Sequence, residues 1–437
     1  MSVGMITLLI WFALLLLLVT GFPVAFSLIS VAVVGFLVFV GPHALFTIFP
    51  TIFGSLTKDV FVAIPLFIFM AAMLEVSGIG ARMYDMMYKW MAGLRGGLAI
   101  GTVFICTVIA AMTGLAGTGT IIMGILAYPE MRKRGYDKSL ATGSVMAGGC
   151  LGPLIPPSLP MIIVGALAGI SVGKLFISGV LPGLICSFLF VAYIGIRCFR
   201  NPRLGPPIPL PERADWREKF TSLAGVIAPI FLILLVLGGI YTGACTPTEA
   251  GGVGAVGAVI CSAFYGNLTW KNLYFALIRS FRITSMNLWI VLGGSAFSSL
   301  CGITGATRFV GVNITGLELP PIGILCLMLF IIFIMGMFMD SAAIMMITVP
   351  VMAPIAVTMG IDLVWFGFLL TLDVIIGMIT PPFGYSLFYF KGIGHQDVNM
   401  AVLYQAAIPF VPLLLIVLAL CILFPQIPLW LPSMMIK

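Results

Sequence analysis

Two short segments of this chain carry residue types able to hold small ions inside an apolar setting: Gly152-Pro153-Leu154-Ile155-Pro156-Pro157 and Gly377-Met378-Ile379-Thr380-Pro381-Pro382. A proline pair removes two amide donors and clashes with carbonyls one turn earlier, so a helix entering either segment ends in unpaired carbonyl oxygens. Such oxygens are hard ligands suited to Na⁺. The half-helix that resumes beyond the first segment, near Ser158, aims a partly positive N-terminus at the same spot and can hold an anion. Opposite each break the sequence places a polar tip, Thr113 to Thr120 for the first and Asp340-Ser341 for the second. Two pseudosymmetric cation sites with an anion between them are expected. Thr118, Thr120, Ser158, Ser341 and Thr380 are the hydroxyls expected to meet that anion. No Lys or Arg falls inside an expected span, so helix N-termini, hydroxyls and amides must hold it, with co-bound cations as countercharge.

The intramembrane acids narrow this. Asp340, at a tip, reads as a cation ligand, because an acid at such depth needs a partner or a function. Asp373, one turn before the second break, reads as a hydrogen-bonding partner of freed backbone, with a ligand role as the alternative. Glu249, in Thr246-Pro247-Thr248-Glu249, reads as a helix-start cap. Nine cysteines lie mostly in apolar runs with no CxxC spacing, and His43 and His395 stand apart near segment ends. They exclude a disulfide framework and a histidine metal site. There is no Ser/His or Asp/Asp pair at catalytic spacing and no phosphate-cradling lysine loop, so an enzyme is not expected.

The elements that must position these residues are apolar. The chain has 437 residues, 61% hydrophobic and 8% charged, with a mean hydropathy of +1.22; soluble domains carry roughly 25% charged residues. The net charge of +7 reads as membrane topology and not as nucleic-acid binding. Spans of about 20 residues are expected over 4–20, 23–41, 60–78, 139–170 (broken), 175–198, 223–242, 247–265, 284–302, 364–391 (broken) and 400–424. Residues 98–128 and 322–356 split into halves too short to cross and are expected to be re-entrant hairpins. Residues 1–20 lack a basic leader and read as an uncleaved first helix. With the N-terminus outside, 17 of the 21 Lys and Arg fall on the inner side; Lys58, Lys174, Arg308 and Lys437 remain outside. That bias puts both termini on the outer side.

The breaks are 225 positions apart, and the same offset pairs Pro129 with Pro354, Gly135 with Gly360, and Asp137 with Asp362. Each half has five crossings plus a hairpin, an odd number, so the second half is expected to be an inverted copy of the first. Residues 1–199 and 223–437 are the expected repeats, and 200–222 is the cytoplasmic linker. Paired interruptions of this kind mark the central site of a transporter. Residues 80–95 and 266–283 mix Tyr, Trp and Met with Arg and Lys and suit either helices lying in the interface near anionic lipid or ordinary wetted connectors. Lys58, Asp59, Lys174 and Arg308 are either docking points for a soluble partner or ordinary wetted charges.

The run Tyr128-Pro129-Glu130-Met131-Arg132-Lys133-Arg134-Gly135-Tyr136-Asp137-Lys138 resembles the large membrane subunit of tripartite ATP-independent periplasmic (TRAP) transporters. So do Gly152-Pro153-Leu154-Ile155-Pro156-Pro157-Ser158, Thr246-Pro247-Thr248-Glu249-Ala250, Gly336-Met337-Phe338-Met339-Asp340 and Gly377-Met378-Ile379-Thr380-Pro381-Pro382-Phe383-Gly384. The likeness spans essentially the whole chain. It implies an inner-membrane, multi-pass permease, its outer side and both termini periplasmic, that works with a small four-helix membrane subunit and a periplasmic binding protein. It further implies import of an organic acid anion, such as a dicarboxylate or sugar acid, driven by two or more Na⁺ through an elevator motion, with no organic cofactor. Carried over by position, the first Na⁺ would use Gly152, Ile155 and Pro157 with the tip near Thr113 and Gly114. The second would use Gly377, Thr380 and Pro382 with Asp340. The first tip departs from the family: many relatives have Gly-Ser-Ser where this chain has Gly114-Leu115-Ala116. Site 1 must then rely on backbone oxygens or on Thr113, Thr118 and Thr120. A stand-alone Na⁺/anion symporter of related fold is the alternative. A channel is disfavoured, because duplicated breaks suit alternating access around one midplane site.

Overall fold

The computed structural model describes residues 1–435, and among them the chain is helical without a strand. Lys437, expected on the outer side, lies outside the described residues.

The first half runs through α1 (Val3–Val19), α2 (Val24–Gly35), α3 (Ile48–Leu56), α4 (Ala63–Val76) and α5 (Ile79–Met91). A hairpin follows, α6 (Gly97–Thr113) and α7 (Thr118–Lys133), then a broken pair, α8 (Lys138–Gly149) and α9 (Leu159–Ala168), and the long α10 (Val172–Arg200). The second half repeats the order: α11 (Trp216–Tyr241), α12 (Pro247–Phe264), α13 (Trp270–Ile303) and α14 (Ala306–Thr315). Then come the hairpin α15 (Pro321–Gly336) and α16 (Ser341–Thr358), the broken pair α17 (Leu363–Ile379) and α18 (Tyr385–Gly392), and α19 (Met400–Ala407), α20 (Val411–Leu423) and α21 (Gln426–Ser433). The fold is an all-α polytopic membrane architecture of two matching halves.

The match extends to single atoms. Gly135 and Gly360 both take left-handed backbone, φ +78° and +70°, which ends each hairpin's second arm. Two residues on, Asp137 accepts from the Leu140 amide at 2.9 Å and Asp362 from the Trp365 amide at 2.8 Å, starting α8 and α17 with equivalent caps. Both Pro-Pro bonds in the breaks are cis.

Two packed groups emerge. α2 packs on α13, α13 on α4 and α4 on α12, whereas each hairpin packs on its own broken pair, α6 and α7 on α8 and α15 and α16 on α17, with α16 lying also along α9 of the other half. α13 against α16 is one of the main seams between the groups, with Gly294 lying against the Met346 side chain.

The structure revises four expectations. α3 was not foreseen, although the offset of 224 that pairs Pro23 with Pro247 maps it onto 272–280 within α13. Residues 266–283 are not a separate interfacial helix: α13 runs on across the expected boundary because no glycine or proline falls between Trp270 and Leu292. Residues 79–91 do form a separate helix, set off by left-handed Gly78. The linker ends earlier than residue 222, since a reciprocal Asp215/Glu218 capping box starts α11 at Trp216. The last expected span, 400–424, is divided into α19 and α20, and α21 follows it.

Candidate substrate and cation site

The hairpin tips meet the breaks through backbone. A Cβ added to Gly114 would sit 1.5 Å from the Pro157 carbonyl oxygen, and one added to Gly152 would sit 2.3 Å from that of Leu115. Only glycine permits this approach, and Gly114 also needs its left-handed φ of +60°. Gly114 and Pro157 of the first expected cation set are thus in direct contact, and Gly152 meets the same tip at Leu115. Thr113 joins Pro157 and Ser158 around a cavity of about 10 Å³, roughly one water-sized sphere. Ile155 is set apart by its side chain, which packs onto Gly183 of α10; only its backbone can serve the site.

The second tip repeats the contact with different chemistry. A Cβ on Gly377 would meet the Gly336 backbone at 2.6 Å, and the Phe338 and Phe383 rings stand 5.5 Å apart across tip and break. Asp340 caps α16, its carboxylate accepting from the Ala342 amide at 3.0 Å. The carbonyls of Thr380 and Met378 converge on Gly384, 3.1 and 3.2 Å from where its Cβ would be. Pro382 stands aside: it is exposed, and its carbonyl accepts from the Tyr404 hydroxyl at 2.6 Å. Break 1, residues 150–158, is buried apart from its contacts with the first tip, whereas break 2 is partly open at 380–383.

Four helices that begin at the tips and breaks carry hydroxyl residues at their N-termini: α7 with Thr118, α16 with Ser341, α9 with Ser158 and α18 with Ser386. The halves interlock here, since Gly117 at the first tip lies against the Tyr389 ring of α18. Hydrogen bonding sorts the hydroxyls. Thr113 donates to Ile109 at 2.9 Å, Thr380 to Ile376 at 2.6 Å, and Ser158 to Pro153, so their protons are committed. Thr120, packed against Gly149, is fully buried without a hydrogen-bond partner among the described residues. So is Ser386, which sequence reasoning missed. Its counterpart 225 positions earlier is Met161, so comparison of the repeats conceals it; its place in the first turn of a half-helix was the available signal.

Of the remaining acids, Glu249 is an exposed cap: its carboxylate accepts from the Thr246 amide at 2.8 Å, and its amide donates to the Thr246 hydroxyl. Asp373 is 2% exposed, and its Oδ2 has no hydrogen-bond partner among the described residues. That oxygen does not make the backbone bond expected of it.

Far from the tips, the loop after α18 fastens the first hairpin. Asp397 accepts from the Tyr128 hydroxyl at 2.8 Å and lies 3.4 Å from Arg132, while Lys138 donates to the Asp397 carbonyl at 2.7 Å. Burial pushes the Asp397 carboxyl up, but the Tyr128 hydroxyl, Lys138 and Arg132 outweigh it and hold the group below the usual carboxylate range. His395, expected to be isolated, sits 2.8 Å from the Gly124 carbonyl, with its ring 4.6 Å from that of Tyr128. Lys58, a candidate docking charge, instead donates to the Ala166 carbonyl at the end of α9 at 2.6 Å.

Comparison with known proteins agrees with this architecture. The family model "Tripartite ATP-independent periplasmic transporter, DctM component" matches residues 9–427. The large permease protein of an ectoine/5-hydroxyectoine TRAP transporter from Ruegeria pomeroyi is 31% identical over 424 residues, covering 97% of each chain. A C4-dicarboxylate TRAP transporter large permease from Pseudomonas aeruginosa is 32% identical, covering 85% of this chain and 86% of its own length. The solved YdaH transporter of Alcanivorax borkumensis shares the fold, with a TM-score of 0.59 at 17% identity over 95% of this chain and 97% of that one. Relatives of this kind are transporter permeases and not enzymes. The chain belongs to the family of large permease subunits of TRAP transporters, multi-pass proteins of the inner membrane.

Proposed function

We propose that this subunit imports a carboxylate-bearing organic solute together with Na⁺, the tip–break contacts forming the two cation sites and the free hydroxyls binding the solute. The observation that carries this is the paired close approach, Gly114 to Pro157 and Gly336 to Gly377, which brings backbone oxygens of a tip and a break together twice. Cations there are cargo. Site 1 has no acid at its tip and uses carbonyls of Gly152, Ile155 and Pro157; site 2 adds the Asp340 carboxylate to carbonyls of Gly377 and Thr380. The solute carboxylate lies between them, facing the N-termini of α7, α9, α16 and α18 and the hydroxyls of Thr118, Thr120 and Ser341.

Packing of each hairpin onto its own broken pair supports transport by an elevator, in which that group slides along α4 and α13. Both termini face the periplasm in this reading, and a periplasmic binding protein and a small four-helix subunit complete the transporter. The two named relatives take ectoine and C4-dicarboxylates, both carboxylate-bearing, so the carboxylate is the shared determinant.

The test is uptake of radiolabelled succinate and of ectoine into proteoliposomes holding the chain and its small subunit, with and without an inward Na⁺ gradient and the binding protein. Uptake requiring both is expected. Uptake with Na⁺ that ignores the binding protein would make the chain a stand-alone symporter, and uptake of either solute indifferent to Na⁺ would remove the cation sites.

A further inference from the structure

A cavity of about 820 Å³ lies well away from the breaks. It opens between α5, the start of α11 and the end of α12, and its charged lining is Arg82, Asp85, Lys89, Arg217 and Glu218. Three cations against two acids leave one excess positive charge. The acids are committed elsewhere: Asp85 pairs with Lys89 at 2.7 Å, and Glu218 accepts from the Asp215 amide at 3.2 Å in the capping box. Arg82 and Arg217 have no acidic partner among the described residues. Arg82 is held in place, its guanidinium 4.7 Å from the centre of the Tyr265 ring, while the Tyr265 hydroxyl donates to the Gly225 carbonyl at 3.1 Å.

Depth limits what enters. α11 is 26 residues long, about 39 Å at 1.5 Å per residue, longer than the roughly 30 Å hydrocarbon core. Its first two turns, with Arg217 and Thr221, therefore stand at headgroup level. Phe264 on the cavity rim is 81% exposed, and Trp216 and Phe220 at the start of α11 are also exposed, as side chains at an acyl boundary are.

We propose that this cavity binds the headgroup of an anionic phospholipid, Arg82 and Arg217 taking its phosphodiester and Phe264 lying along its first acyl carbons. One phosphodiester negative charge matches the excess positive charge. Two arginines that converge on a groove suit phosphate better than lysines would, because guanidinium donates in a planar fork. The site lies among the helices outside the hairpin group, so bound lipid braces that group through α5 and α11.

The test uses the delipidated full chain in detergent, its melting temperature followed as 1-palmitoyl-2-oleoyl-phosphatidylglycerol is added. A saturable rise is expected, absent with the phosphatidylcholine of the same chains and with inorganic phosphate. Arg82→Gln with Arg217→Gln raises the half-saturating concentration about tenfold. Ala224→Phe, which narrows the cavity without changing charge, does the same and carries the test if the arginine pair does not fold. Arg200→Gln with Arg203→Gln, exposed residues at the end of α10 and just beyond it, away from the cavity, changes nothing. An equal phosphatidylglycerol response in both cavity variants overturns the site. So does an equal response to phosphatidylcholine, and a response to inorganic phosphate would make it an ion site instead.

Discussion

At the scale of single residues, the site depends on what glycine lacks more than on what other residues carry. Gly114 must be glycine for two separable reasons, its left-handed φ and the Pro157 carbonyl lying where a Cβ would be. Gly169 isolates the first reason: its φ is +69° and nothing lies within 4 Å of its Cβ position. Alanine at either position costs roughly 1 kcal/mol of backbone energy, but only Gly114→Ala pushes tip from break. Displacements of about 1 Å can cost on the order of a hundredfold in a positioned site. Gly114→Ala should therefore lose Na⁺-dependent uptake by tenfold or more while Gly169→Ala keeps it, both measured in proteoliposomes at matched protein density. Asp340→Ala should weaken the Na⁺ dependence of uptake and leave membrane insertion intact; unchanged half-saturation for Na⁺ in that variant would take Asp340 out of site 2. The glycines and Asp340 were legible because their types mark breaks and tips. Ser386 was not, since a serine's value as a donor depends on whether its hydroxyl is already bonded, and that is a property of packing.

Among elements, the turns at the tips and breaks are legible because glycine and proline terminate helices by local sterics that need no tertiary context, although α7 runs past the expected hairpin end at 128 to Lys133. Gly114 and Gly117 bound the first tip, and Asp137 and Asp362 start the broken pairs, as the offset of 225 requires. Where punctuation is absent the reading failed, as in the fusion of 266–283 into α13. It failed again where function lies in long-range contact: nothing local announces that the loop at 395–398 grips Gly124 and Tyr128, about 270 positions earlier. That grip has a pH signature. The folded-state carboxyl of Asp397 is held below the usual range, so its contribution is present above the ordinary Asp value near 3.9. It is lost as pH falls through the depressed one. Hydrogen exchange of 393–398 should stay slow from neutral to mildly acid pH and quicken only below the usual carboxylate range. In Asp397→Asn it should already be fast at neutral pH; exchange equally slow in that variant would leave the grip to His395.

For the whole molecule, the question is which seam slides. Each hairpin and its broken pair are joined by backbone contacts too close to shear, Gly114 on Pro157 and Gly336 on Gly377, so these parts move together if they move. The α13–α16 seam is side-chain packing, the Met346 thioether chain against Gly294, and an unbranched, polarizable side chain tolerates repacking. The Lys58 bond to the end of α9 is a single contact of the kind a sliding group makes and breaks. A Cβ on Gly294 would lie 2.6 Å from that of Met346, and one on Gly251 would lie 3.2 Å from that of Leu66. Both are near enough for a disulfide after small backbone adjustment, since bridged Cβ atoms stand about 3.8 Å apart. In a background without the nine native cysteines, oxidation of Gly294→Cys/Met346→Cys should abolish uptake and reduction restore it. Oxidation of Gly251→Cys/Leu66→Cys, which joins α12 to α4 within the other group, should leave uptake unchanged. If the oxidised 294/346 pair transports at the reduced rate, α16 does not slide along α13, and alternating access must come from the hairpin tips parting from the breaks, against the close backbone contacts that join them.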